Sequence, residues 1–391
     1  HFLQNDRFIW QSDRSGWNHC YLYDISGDMI KPLTKGNYNV IEFLGTDAKE
    51  ENLYFISNID DYTGRFAYKQ DMKTGKLTNL TPEKGTHYPQ FSNNYLYLLD
   101  QFNNTITPNN IDLYDLKKNK KNNLLTAKNP YAGLMLGETK LFTLKNSEGI
   151  DLCCRMIYPP NFDEKKKYPV FIYVYGGPHS QLVTNTFMSG GVFLHYMAQK
   201  GYIVFTLDNR GTANRGAEFE KCIHRQLGVP EVADQMTGID YLKTLPYVDG
   251  SRIGVDGWSY GGFMTLSLIT MHPEVFKTAS CGGPVVDWKW YEVMYGERYM
   301  DTPEENPKGY QNASIIPKIK NLQSELLIMH GALDNTVVMQ HSLELLRQSV
   351  IDKVQIDYFV YPNHKHNVRG GDRVHLWNKI EKFHEKLLNN Y

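Results

Sequence analysis

Cysteine is scarce and badly placed for cross-linking. The chain has five in 391 residues, Cys20, Cys153, Cys154, Cys222 and Cys281, with no CxxC spacing and two of them adjacent. That excludes a disulfide framework and a cysteine zinc site, and leaves buried free thiols. An excess of charge of one sign is also missing. Lys+Arg number 42 and Asp+Glu 43, a net charge of −1, so no global basic field exists to hold nucleic acid or an anionic membrane. The longest apolar run, around Pro169–Tyr175, is far too short to span a bilayer. No initiating Met is present; the chain opens with His1-Phe2-Leu3 and reads as a fragment, so a missing leader says nothing about compartment. What is plentiful is apolar and aromatic: 41% hydrophobic and 13% aromatic residues, with 27 tyrosines, where a disordered chain would be poorer in both. At about 150 residues per domain the length predicts two or three domains. A chain of this size buries enough surface to form a core without metal or disulfide.

Two periodicities divide the chain. Residues 1–140 show no convincing 3.6-residue period but contain a repeat. Tyr21-Leu22-Tyr23-Asp24 leading to Pro32-Leu33-Thr34 is echoed by Ala67-Tyr68 leading to Asn79-Leu80-Thr81, and by Asp112-Leu113-Tyr114-Asp115 leading to Leu124-Leu125-Thr126. The threonines lie 47 and 45 residues apart. Each copy reads as strand, turn (Ser26-Gly27-Asp28, Lys73-Thr74-Gly75, Lys118-Asn119-Lys120) and strand, with further strands at Arg7–Ser12, Leu53–Ser57 and Tyr95–Asp100 between them. A period near 45 residues with about four strands predicts β-propeller blades, fewer than three of them, against an unrelated meander of hairpins. The lysines of Lys117–Lys121 sit on a hairpin tip and read as solvated.

From residue 141 strands and helices alternate. Pro169–Tyr175, Tyr202–Leu207, Arg252–Gly257, Glu325–His330 and Val354–Tyr361 are apolar runs suited to parallel strands buried on both faces. Val232–Thr244, Gly262–His272, Val338–Ser349 and Arg373–Asn390 carry helical patterns. The pattern predicts a doubly wound, mostly parallel α/β sheet over residues 141–391, which together with the Gly257–Gly262 motif reads as an α/β hydrolase, preceded by the last blades of a truncated β-propeller over 1–140.

The strongest local signal is Gly257-Trp258-Ser259-Tyr260-Gly261-Gly262. It follows an apolar strand and precedes a helix, the context of a nucleophile elbow. The turn would expose the Ser259 hydroxyl at the carboxyl end of the sheet and aim the Tyr260 N–H at a developing oxyanion. A serine hydroxyl needs a base held by a carboxylate, and in this fold the order is Ser, acid, His. Asp334 follows the strand Glu325–Met329, 75 residues past Ser259. After the strand Val354–Tyr361 comes Pro362-Asn363-His364-Lys365-His366. His364 and His366 both qualify by position, whereas His330, at a strand end, reads as structural. Tyr175 ends a buried strand in a Gly-Gly-Pro turn, as an oxyanion residue or as a packed core tyrosine.

These motifs, with Tyr175-Gly176-Gly177-Pro178, Asp208-Asn209-Arg210-Gly211, Gly296-Glu297-Arg298-Tyr299-Met300, His330–Asp334 and Tyr361–Arg369, resemble the dipeptidyl peptidase IV branch of the prolyl oligopeptidase family. His330–Val338 and Tyr361–Val368 are most similar to its prolyl tripeptidyl peptidase members. The resemblance covers the whole hydrolase half and implies His366 as the base, Tyr175 as the second oxyanion donor, and no cofactor or metal. It also implies a propeller upstream of His1 that carries the main anchors for a substrate's amino terminus, a homodimer of the full-length protein, and a periplasmic or extracytoplasmic location.

Tyr291, Tyr295 and Tyr299 recur every four residues, so they share one helical face, either a core stripe or part of a site. The resemblance implies an S1 pocket of Val285, Trp288, Tyr291, Tyr295 and Val337 around a substrate proline, whose rigid, apolar ring suits a flat aromatic box, with Tyr299 a further substrate-binding residue. It also gives Glu292 a part in holding the free amino group, where an exposed glutamate is ordinarily just solvated. Thr336 departs from the Asn usual in dipeptidyl members. The function implied is a serine exopeptidase that releases short amino-terminal peptides by cleavage after Pro or Ala. Its substrates are peptides with a free amino terminus, and nucleic acid is not a partner. The alternatives are an acylaminoacyl-peptidase or esterase of the same fold, and a non-catalytic propeller–hydrolase binding scaffold.

Overall fold

The computed structural model describes residues 1–388, in two compact units. One comprises His1–Leu134 with Val183–Ser189 and Ala213–Glu220; the other comprises Met135–Leu182, Gly190–Thr212 and the chain from Lys221 onward.

The first unit holds three antiparallel meanders of four strands each. They are Phe2–Leu3, Arg7–Ser12, His19–Asp24 and Met29–Pro32; then Val40–Thr46, Asn52–Ser57, Phe66–Asp71 and Leu77–Asn79; then Thr86–Phe91, Tyr97–Asn103, Asn110–Asp115 and Lys120–Thr126. Three blades are therefore present, not fewer than three. The count fell short because the opening strand is two residues long and carries no pattern. The repeated threonine has a physical cause in the first two blades. Buried Thr34 and Thr81 accept the backbone N–H of Cys20 (2.9 Å) and Ala67 (2.8 Å) through their hydroxyls, closing the third strand where the fourth cannot reach. Thr126 is exposed and bonds Asn123 instead. The predicted hairpin turns carry positive φ at Gly27 (94°), Gly75 (75°) and Asn119 (52°), the residue types that tolerate it. Of the hairpin lysines, Lys121 is held by Asp112 at 3.0 Å. Two segments from the hydrolase half of the sequence also belong to this unit. The Asn185 N–H donates to the Thr63 carbonyl (2.8 Å), and the Arg215 guanidinium lies 4.1 Å from the Tyr62 ring centroid.

The second unit is built on an eight-stranded sheet. Across the sheet the strands run Thr139–Lys145, Asp151–Ile157, Ile203–Asp208, Tyr168–Tyr173, Val248–Trp258, Thr278–Gly282, Glu325–Gly331 and Asp357–Tyr361. The first two pair antiparallel with their neighbours and the other six are parallel. Helices Gly191–Gln199, Pro230–Thr244, Tyr260–Met271, Gln340–Asp352 and Asp372–His384 connect or follow them. Ile203–Asp208 is buried on both faces as the continuous run predicts, every residue of it, whereas the Val354–Tyr361 run yields only the edge strand Asp357–Tyr361, where Tyr361 alone is buried. Thr278–Gly282 is equally buried but made of small residues (Thr-Ala-Ser-Cys-Gly), because its neighbours crowd it; a Cβ on Gly282 would lie 1.9 Å from the Trp258 ring.

A directed chain of hydrogen bonds ties the last helix to this sheet. The Thr278 hydroxyl donates to His384 Nδ1 (2.7 Å), His384 Nε2–H donates to Ser280 Oγ (2.8 Å), and the Ser280 hydroxyl donates to Asp256 Oδ1 (2.5 Å). All five cysteines are free thiols, four of them buried and Cys222 half-buried. No helix among the described residues is long and apolar enough to cross a membrane.

Candidate active site

Ser259 sits between the strand Val248–Trp258 and the helix Tyr260–Met271, with φ 63° and ψ −119°. That is a strained conformation for a residue with a Cβ, held because the surroundings over-determine it. The Ser259 N–H donates to the Gly282 carbonyl (2.7 Å), and its carbonyl accepts the Phe263 N–H (3.1 Å). The flanking glycines are obligatory: a Cβ on Gly257 would lie 2.3 Å from the Gly261 carbonyl oxygen, and one on Gly261 2.3 Å from that of Val174. Tyr260 opens the helix, where a backbone N–H has no intrahelical acceptor.

Asp334 and His366 meet from two loops. His366 Nδ1 lies 2.7 Å from Asp334 Oδ2, with the carboxylate side chain fully buried and the imidazole 15% exposed. Asp334 Oδ1 accepts the N–H groups of Thr336 and Val337, each at 2.9 Å. Burial pushes this carboxyl up, but hydrogen bonds from His330, His366 and Thr336 outweigh it and hold it well below the usual carboxylate range. His364 points elsewhere, with Nε2 2.8 Å from Asp372. His330 is buried, with Nδ1 against the Ser342 hydroxyl (2.7 Å) and Nε2–H donating to the Val337 carbonyl (2.8 Å), which shapes the turn that carries Asp334. The loops converge on the elbow. Trp258 Nε1–H donates to the His366 carbonyl (2.8 Å), and Gly283, next to the Ser259 anchor Gly282, lies so close that a Cβ on it would be 3.3 Å from both the His366 ring and Asp334. A cavity of about 370 Å³ opens beside His366, lined also by Asn335, Thr336, His364 and Arg369.

Tyr175 follows the strand Tyr168–Tyr173 by two residues and is half-buried, its ring 6.1 Å from that of Tyr260. Burial, with Tyr299 nearby, pushes its hydroxyl above the ordinary tyrosine value. Its turn is fixed by Asn209, whose Nδ2–H donates to the Gly176 carbonyl (2.9 Å). The neighbouring Arg210 is locked to Asp234 (3.0 Å) and Glu148 (2.7 Å). The Asp208–Gly211 motif thus supports this turn.

The aromatic residues do gather. Trp288 stacks on Tyr295 at 5.8 Å and meets Tyr291 edge-on at 5.5 Å, Tyr260 lies 5.4 Å from Trp288, and Tyr295 and Tyr299 are 4.8 Å apart. Only Tyr295 and Tyr299 are on the helix, which spans Val293–Met300; Tyr291 is extended and precedes it. The three tyrosines therefore do not share one helical face. Glu292 is the reason: it caps the helix, its carboxylate accepting the Met294 N–H at 3.1 Å, and it is exposed. Val285 and Val337 are fully buried, at 1% and 0% exposure.

Glu231 carries no motif signal, since a glutamate in a first helical turn reads as solvated. It is 0% exposed, and its carboxyl accepts the Tyr260 hydroxyl (2.7 Å) and the Gly228 N–H (2.9 Å), anchoring the ring beneath the aromatic cluster. Burial pushes it up to about 7, against hydrogen bonds from Tyr260 and Gly228. Asp256 is likewise raised by burial to about 7. Above pH 4.5 these groups bind more protons folded than unfolded, so their contribution to stability falls as pH rises and is lost through about pH 7. His384 and His341, lowered by burial to about 3 and about 4, act oppositely below pH 6.5. The decline should therefore be cleanest between pH 6 and 8. Glu231→Gln should gain about 1 kcal/mol relative to wild type across that interval in denaturant titrations; a constant difference would show that Glu231 does not titrate between pH 6 and 8.

The arrangement offers a half-buried serine on a strained elbow, an imidazole oriented by a buried carboxylate, and an aromatic cluster that includes Tyr260, the residue after the serine. Known proteins are similar to this chain over most of its length. Residues 1–109 match the dipeptidyl peptidase IV (DPP IV) N-terminal region. Dipeptidyl peptidase 4 of Trichophyton equinum is 33% identical over 370 residues, covering 90% of this chain and 48% of its own length. The structure of dipeptidyl peptidase 4 from Porphyromonas gingivalis superposes with a TM-score of 0.92 at 33% identity, covering 98% of this chain and 55% of that one. A structure from Bacteroides ovatus ATCC 8483 gives a TM-score of 0.92 at 42% identity, covering 97% and 57%. The chain spans about half the length of the curated relatives it matches. Residues 192–391, just over half of the chain, match the prolyl oligopeptidase family and include the elbow and the His–Asp pair, so the chain belongs to the prolyl oligopeptidase family.

Proposed function

We propose that this chain is the catalytic part of a serine exopeptidase that removes short peptides from a free amino terminus by cleavage after Pro or Ala. The observation that carries the reading is the 2.7 Å His366–Asp334 contact beside the Ser259 elbow. In the mechanism, His366 Nε2 takes the Ser259 proton as Oγ attacks the scissile carbonyl, and Asp334 stabilises the imidazolium through Nδ1–H. The oxyanion is bound by the Tyr260 N–H and the Tyr175 hydroxyl. The C–N bond breaks as His366 returns the proton to the leaving amine. Water, deprotonated by His366, then hydrolyses the acyl-enzyme and releases the short peptide acid. Trp288, Tyr291, Tyr295 and Tyr299, with Val285 and Val337 packed in support, hold the proline ring. Glu292, whose Oε2 caps the helix, would meet the amino group through its other carboxylate oxygen.

The relatives' names support dipeptide release, and the likeness of the His330–Val338 and Tyr361–Val368 segments to tripeptidyl members supports release one residue longer. The test is one Pro-containing peptide amide with its amino terminus free and acetylated, with products weighed by mass spectrometry. Cleavage of the free form alone is expected, and the product mass gives the number of residues released. Preference for the acetylated form would install the acylaminoacyl-peptidase reading instead. Dimerisation of the full-length protein rests on the family likeness alone, and sedimentation velocity tests it.

A further inference from the structure

A second cavity, of about 340 Å³, opens in the hydrolase unit between the helices Gly191–Gln199 and Asp372–His384. Its apolar wall includes Phe193 and Trp377, stacked at 5.5 Å, with Leu376 and Ile380. Two unlike charges share it. Asp256 is 5% exposed, its Oδ1 fixed by the Ser280 hydroxyl (2.5 Å), which leaves Oδ2 as an acceptor at the wall; no cation pairs with it among the described residues. Arg373 is on the surface side, steadied by its Nε–H to the Val368 carbonyl (3.1 Å), with its terminal nitrogens left to donate. The proposed mechanism uses none of these residues. A carboxyl buried near the end of a central strand without a cation is costly to ionise, and burial raises it above the usual carboxylate range. The cavity has the volume of a small-molecule site at the lower end of the usual range.

We propose that this cavity binds a free hydrophobic α-amino acid, its ammonium on Asp256, its carboxylate toward Arg373 and its side chain against Phe193 and Trp377. One acid, one base and one aromatic wall complement the three parts of that molecule, whereas a simple hydrocarbon would leave Asp256 unmet. Trp258, which precedes Ser259 and bonds the His366 carbonyl, is also in the wall, as are Asn367 and Val368, which follow His366. An occupant therefore touches the chain neighbours of both proposed catalytic groups.

The test is calorimetry, with tryptophan fluorescence as a second signal, using the Ser259→Ala chain so that the result does not depend on the peptidase reading. Saturable binding of L-leucine and L-phenylalanine is expected, with a fluorescence change from Trp258 and Trp377. 3-Phenylpropionate, which lacks the ammonium, and phenethylamine, which lacks the carboxylate, should each bind at least about tenfold more weakly. Asp256→Asn should weaken L-phenylalanine by a similar factor while keeping the Ser280 bond. Leu376→Trp, which fills the cavity from the helix side, should do the same. No binding of either amino acid at about 10 mM, equal binding of 3-phenylpropionate, or undiminished binding by a folded Asp256→Asn chain would overturn the proposal. The ligand comparison on the Ser259→Ala chain decides the matter even if both cavity variants fail to fold.

Discussion

Ser259→Ala should lower kcat by about 10⁴–10⁶ while the chain keeps its fold, and His366→Ala should be comparably damaging. Serine and histidine act as one unit: without the imidazole the hydroxyl stays protonated, and without the hydroxyl the imidazole has nothing to activate. His364→Ala, by contrast, should stay within about tenfold of wild type, because its partner is Asp372 and not the buried carboxylate. Peptide turnover and labelling by a fluorophosphonate probe give two independent readouts. Labelling should vanish in Ser259→Ala and fall steeply in His366→Ala. Retained activity in Ser259→Ala would remove the proposed function altogether, and an exchange of the two histidine results would mean that the His366–Asp334 contact is not the catalytic one. A scaffold without chemistry would show no labelling in wild type.

What could be read from the residues depended on how local the cause was. The elbow was legible because its requirement is local: Gly257 and Gly261 have carbonyl oxygens where a Cβ would go, so the sequence must display small residues around Ser259. Parallel strands were legible as apolar runs for a similar reason. A strand ending near Gly282 could be read, but Thr278–Gly282 is not an apolar run, because crowding by Trp258 selects small residues over greasy ones. The choice between His364 and His366 could not be made from spacing. Loop register, with the Leu333 N–H on the His364 carbonyl (3.0 Å), decides which of them meets Asp334, and only the family likeness pointed to His366. Tyr291 was placed on the helix because Glu292 is not a residue type that announces an N-cap. Glu231 was invisible because its partner, the Tyr260 hydroxyl, is 29 residues away in sequence. The excursions at 183–189 and 213–220 left no compositional mark, since their contacts within the first unit are scattered single ones, such as Asn58 Nδ2–H to the Asn214 carbonyl at 2.7 Å and Arg215 over the Tyr62 ring, with residues far away in sequence.

Tyr175→Phe should lower kcat by about 10²–10³ with KM nearly unchanged, the usual loss for one oxyanion donor. The reasoning starts from the turn. Asn209 pins the Gly176 carbonyl, which sets the position of the preceding residue, and the half-buried ring lies 6.1 Å from Tyr260, whose own N–H is the other proposed donor. A hydrogen bond that strengthens only when charge appears on the carbonyl oxygen stabilises the transition state and not the bound substrate, so the loss belongs in kcat. Burial raises the Tyr175 hydroxyl above the ordinary tyrosine value, so it stays protonated and able to donate across the neutral range. The deficit of the Phe variant should accordingly be the same at every pH from about 6 to 9, because no ionisation of Tyr175 intervenes. Three outcomes separate the readings of this residue. A pH-independent loss in kcat supports the oxyanion role. A loss confined to KM would make Tyr175 a substrate-positioning residue, one more ring of the cluster that includes Tyr291 and Tyr295. A variant with both constants intact would return it to the core, and would leave the Tyr260 amide as the one donor facing the oxyanion.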